Sequence, residues 1–108
     1  DDMATACIHV MNLSHDQFTS IVSSPMCSHV NVGSGRDVTI AELAGIIAKV
    51  VGFEGDIEFD SSKADGAPRK LMDVGRLRSL GWEYSLELEK GIYETYVWFL
   101  DNQEKLRS

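Results

Sequence analysis

Apolar residues recur at helical spacing in several stretches of the chain and alternate at strand spacing in two others. Met3, Cys7, Val10 and Met11 stand at i, i+4, i+7 and i+8. That is one stripe of a helix over 2–14, whose first turn Asp2 can cap. Ala4, Ala6 and Ile8 widen the stripe, which predicts burial on more than one side. Phe18, Ile21 and Val22 can extend the helix, and Ser23-Ser24-Pro25 should end it, because proline disfavours helical geometry in its predecessor. His29-Val30-Asn31-Val32-Gly33 alternates and stops at Gly33-Ser34-Gly35, the pattern of a short strand and a turn.

The clearest helix signal follows. Thr39 and Glu42 have capping-box spacing, and Ile40, Leu43, Ala44, Ile47 and Val51 share a face. Gly52 stands where a left-handed cap is wanted. Asp56-Ile57-Glu58-Phe59-Asp60 alternates again. Strand, helix and strand in this order predict an α/β fold with a βαβ unit, a parallel strand pair and a right-handed crossover. Residues 61–72 form a polar loop punctuated by Gly66 and Pro68. A short helix should follow, with Asp73 as N-cap, Leu77 and Leu80 inward and Gly81 as its stop. Ser85 is a plausible cap for a last helix over roughly 86–105. Its apolar face holds Leu88, Ile92, Tyr96, Phe99 and Leu100.

Composition narrows the class. The 108 residues carry a net charge of −7, with 44% hydrophobic and 25% charged positions. That balance is globular and argues against a disordered chain. An acidic surface argues against nucleic acid and against an anionic membrane as partners. No apolar run approaches the ~20 residues that span a bilayer. No basic stretch followed by an apolar run opens the chain, as a secretory signal would. Two cysteines, Cys7 and Cys27, are too few for a disulfide framework, so a reduced, cytoplasmic setting is expected. There is no internal repeat or linker, and 1–108 reads as a single segment. It begins with Asp1, which suggests a trimmed chain or the tail of a longer one.

Few residues offer chemistry. Gly33-Ser34-Gly35 lies between a strand and a helix, but a dinucleotide fingerprint needs a third glycine where Val38 stands. A tight turn is the better reading. His9, His15, His29, Cys7 and Cys27 show no metal-ligand spacing. The loop at 61–72 differs, because it gathers Lys63, Arg69 and Lys70 beside Asp65 in a chain with only ten Lys and Arg. Loops after strand ends are where α/β proteins bind ligands. A guanidinium can grip a phosphate with two hydrogen bonds, and an ammonium adds a point charge. An anion site at this loop competes with the simpler reading of a solvated, charge-balanced loop.

The run Asp65-Gly66-Ala67-Pro68-Arg69-Lys70-Leu71-Met72-Asp73, with Arg76-Leu77 and Leu80-Gly81-Trp82 after it, resembles the C-terminal segment of the GDP-L-fucose synthase family. These are extended short-chain dehydrogenases/reductases. Asp1-Asp2-Met3-Ala4, His29 to Gly35, Thr39 to Ala44 and Trp98 to Gln103 fit as well, so the resemblance covers essentially the whole chain. It implies a homodimeric, NADP-dependent enzyme with an N-terminal Rossmann domain and a smaller substrate domain. Such an enzyme epimerises C3 and C5 of GDP-4-keto-6-deoxy-D-mannose and then reduces C4. The resemblance puts the catalytic Ser, Tyr and Lys, the Cys and His of epimerisation and the NADP site upstream of these residues. No catalytic, cofactor or metal residue is therefore assigned here. What carries over is substrate binding by Asp65, Arg69 and Lys70, with Lys70 foremost for the diphosphate. The alternatives are a non-catalytic assembly module, or part of an epimerase/reductase for a different nucleotide sugar.

Overall fold

The computed structural model describes residues 1–64 and 66–106. It contains five helices among them: α1 (Asp2–Met11), α2 (His15–Val22), α3 (Ile40–Val51), α4 (Gly75–Ser79) and α5 (Leu88–Leu106). The chain divides into two units. The first comprises Asp1–Asp37 and Arg69–Ser85, and the second takes in Val38–Pro68 and the chain from Leu86 onward.

The first unit is built around Ala6, Leu77 and Trp82, with Val10, Val30, Val32 and Tyr84 packed against them. Leu77, on α4, is the largest fully buried side chain. The Trp82 indole donates to Thr5 Oγ1 at 3.1 Å, so its one polar atom is satisfied. His9 Nε2 lies 2.8 Å from the Leu80 carbonyl and ties α1 to the end of α4. That end is a Schellman turn. Gly81 holds φ at 94°, its N–H reaches the Arg78 carbonyl, and the Trp82 N–H reaches that of Leu77. The Leu-Gly-Trp run thus both stops a helix and delivers an indole to the core. Arg76 fastens the stretch after α2, donating from Nη1 to the carbonyls of Cys27 (2.6 Å) and His29 (2.7 Å) and from Nη2 to that of Ile21 (3.3 Å).

Several local expectations shift here. The helix expected over 2–14 stops at Met11, and α2 starts afresh behind a Ser14/Gln17 capping box. Asp2 does not cap α1; its carboxylate accepts from the Ser85 N–H and hydroxyl at 3.1 and 2.7 Å. Ser85 is accordingly no cap for α5, which begins at Leu88. Asp73 lies one residue before the N-cap position of α4 and still receives the Gly75 N–H at 2.8 Å. The expected apolar stripe of α1 is split: Met3, Cys7 and Met11 are exposed, whereas Val10 faces in together with Ala6 and His9.

In the second unit α3 packs on α5. Thr39 and Glu42 form the expected capping box, and Gly52 closes α3 at φ 70°. Leu43, Ile46 and Val50 of α3 and Ile92 and Tyr96 of α5 are half-buried. The expected outer members, Ile40, Ile47 and Val51, and likewise Leu88, Phe99 and Leu100, are exposed. No described residue of this unit is fully buried.

The βαβ unit does not form among the described residues. Residues 29–33 and 56–60 carry no strand, and they belong to different units. A strand exists only where a neighbour completes its ladder, and neither stretch has one here.

Candidate ligand-binding site

The segment 69–74 is held to 31–37 within the first unit by three ties. Asn31 Nδ2 donates to the Asp73 carbonyl at 2.9 Å. Next come the glycines. A Cβ added at Gly33 would stand 3.4 Å from Met72 Cε, and one at Gly35 only 2.9 Å from Val74 Cγ2. Gly35 also holds φ at 72°, so a side chain there would be both strained and crowded. Gly33-Ser34-Gly35 is thus the expected tight turn, with Ser34 Oγ accepting from the Arg36 N–H at 3.2 Å. The third tie is ionic: Arg69 donates from Nε and Nη2 to the two carboxylate oxygens of Asp37.

That fork changes the reading of the basic loop. Arg69 is not a free cation. Its hydrogen bond to Asp37 is the main reason the Asp37 carboxyl sits below the usual carboxylate range, and it raises the Arg69 guanidinium in turn. Nη1 of Arg69 makes no hydrogen bond among the described residues. Lys70 is exposed, with no hydrogen-bond or ion-pair partner among them. Lys63, the third basic residue of the loop, belongs to the second unit. The chain there turns on Asp60, whose carboxylate accepts from the Ser62 N–H and hydroxyl. Asp65 lies outside the described residues.

Sequence reasoning missed Asp37 and Asn31. Both sit beside the glycine turn, and only their separation of 32 and 42 residues from their partners hid them. In a dinucleotide-binding fold the pyrophosphate sits at the N-terminus of the helix that follows such a turn. The N-terminus of α3, where a pyrophosphate would have to sit, is closed by the Glu42 carboxylate, 2.7 Å from the Thr39 nitrogen. A negative charge there excludes another. No cluster of three His, Cys, Asp or Glu able to hold a metal occurs among the described residues. None of their helices is long and apolar enough to cross a membrane.

No family model matches the chain. GDP-L-fucose synthase of Escherichia coli K12 is 56% identical over 107 residues, 99% of this chain and 33% of that enzyme. GDP-L-fucose synthase 1 of Arabidopsis thaliana is 45% identical over 102 residues, 94% of this chain and 28% of that one. Among solved structures, MlghC, a GDP-mannoheptose C4 reductase from Campylobacter jejuni with NADP bound, aligns with a TM-score of 0.76. It is 34% identical, over 93% of this chain and 29% of that one. The chain spans about a third of the length of the curated relatives it matches. It corresponds to the C-terminal part of GDP-L-fucose synthases, and its fold to that part of an extended short-chain dehydrogenase/reductase.

Proposed function

We propose that the chain is the substrate-binding portion of an NADP-dependent GDP-L-fucose synthase, inactive by itself, and that its 69–70 corner grips the diphosphate of a GDP-sugar. The whole enzyme converts GDP-4-keto-6-deoxy-D-mannose to GDP-L-fucose by C3/C5 epimerisation and C4 reduction. NADP supplies the hydride and is held outside this segment. The observation that carries the reading is 56% identity to the E. coli synthase along nearly the whole chain.

The geometry supports it. A diphosphate carries about two negative charges, and hydrogen bonds to such charged groups contribute on the order of 1.5–3 kcal/mol each. Lys70 supplies an unspent ammonium, and Arg69, the residue before it, keeps Nη1 outside the fork with Asp37. Asp65, in the same motif, accepts from a substrate hydroxyl. Grip on the diphosphate, remote from the reacting carbons, holds the sugar in register for chemistry performed by other residues. In the whole enzyme residues 29–33 and residues 56–60 each become a strand where a neighbour supplied elsewhere in the polypeptide completes the ladder. The enzyme works as a cytoplasmic homodimer.

Lys70→Ala in the full-length enzyme carrying this segment raises KM for the GDP-sugar about 10- to 100-fold, the loss of one such contact. An unchanged KM in steady-state assays removes Lys70 from the site. A second reading, a reductase for a different GDP-sugar, is favoured by the MlghC likeness. Product analysis with GDP-4-keto-6-deoxy-D-mannose separates the two: GDP-L-fucose appears only under the first.

A further inference from the structure

Asp37 and Arg69 occupy a special place in the topology. The chain leaves the first unit after Asp37 and re-enters it at Arg69, so their fork closes the base of the excursion over 38–68. Resting on the diphosphate reading above, we infer that Asp37 is a positioning residue for the phosphate-gripping corner. Its two oxygens fix the Arg69 guanidinium in one orientation. That fixes the backbone at 69 and presents both Arg69 Nη1 and the neighbouring Lys70 from a set point. A flexible lysine after Gly66 and Pro68 would otherwise lose affinity to the ordering of its loop. The glycine turn against Met72 and Val74 supports the same strip from its other end.

The alternative role for Asp37 is plain electrostatics, and it predicts the opposite sign. An acidic side chain beside a diphosphate site repels the ligand. Removing its charge would then tighten binding and release Arg69 to join in. A positioning role predicts that removing it weakens binding.

The test uses the full-length enzyme carrying this segment, with GDP as the calorimetric probe and the GDP-sugar in steady-state assays. Asp37→Asn weakens GDP binding about fivefold and raises KM in parallel, with kcat within about twofold, as for a coupled pair of neighbours. Asp37→Glu, which keeps a carboxylate, restores most of the affinity. In a Lys70→Ala background Asp37→Asn costs less than in the parent, because one of the two groups it positions is gone. Asp37→Ser also removes the fork while leaving Arg69 and Lys70 in place and weakens GDP binding in the same direction, so the inference stays testable if Asp37→Asn does not fold. Unchanged or tighter GDP binding by Asp37→Asn, with Lys70→Ala still weak, overturns the positioning role and leaves the diphosphate reading standing. If Lys70→Ala binds GDP like the parent, the diphosphate reading itself is lost, and this inference with it.

Discussion

Met26 holds φ at 64° and is almost wholly exposed, so nothing in its surroundings rewards the left-handed conformation. It stands in a turn closed by the Cys27 N–H on the Ser24 carbonyl at 3.1 Å, with Pro25 before it. A proline followed by a residue of positive φ is the signature of a type II turn, which favours glycine at the second of those positions. Met26→Gly therefore stabilises the protein by about 1 kcal/mol, the lower end of the strain of a non-glycine residue there. Thermal melting reads it as a rise in midpoint. The same scale explains the basic loop. Charge counting finds three cations between 63 and 70, but Asp37 takes the fork of one of them. The partner is 32 residues away, and no local pattern in a sequence announces such a pairing.

Helix ends were the most legible elements, because caps are local chemistry. Thr39 with Glu42 and the glycines at 52 and 81 do what their spacing says. The Ser14/Gln17 box has the same spacing and escaped notice because apolar residues continue past it. Thr39→Ala removes a hydroxyl that accepts from the Glu42 N–H at 3.1 Å and donates to the Glu42 carboxylate. It costs about 1 kcal/mol of stability. Denaturant unfolding should show a lower midpoint with an unchanged slope. Helix faces were less legible. Periodicity shows which sides of α3 are apolar, not which side is covered: Leu43, Ile46 and Val50 face in, while Ile40 is 75% exposed. The two alternating stretches fail for a related reason. Alternation shows fitness for a sheet, and the sheet must come from elsewhere.

At the scale of the molecule, the outward apolar residues make one argument. In the first unit Met3, Ile8 and Met11 of α1 and Phe18 of α2 are exposed, and in the second Ile40, Phe59, Trp98 and Leu100 are. Scattered apolar residues on a surface are ordinary, but successive turns of one helix form a contiguous patch, and such patches mark contact surfaces. The chain matches only about a third of the enzymes it resembles. The 108 residues produced alone therefore bind a hydrophobic dye strongly and form heterogeneous assemblies in light scattering, whereas the full-length enzyme binds little dye and goes no further than its dimer. Met11, 84% exposed here, sharpens the contrast. Met11→Glu leaves the melting of the isolated chain nearly unchanged. In the full-length enzyme it costs about 1.5–3 kcal/mol, the worth of a buried methionine side chain. Equal effects in both settings would mean that α1 presents this face to water in the whole enzyme too. The polypeptide beyond these residues would then have to complete the fold without it.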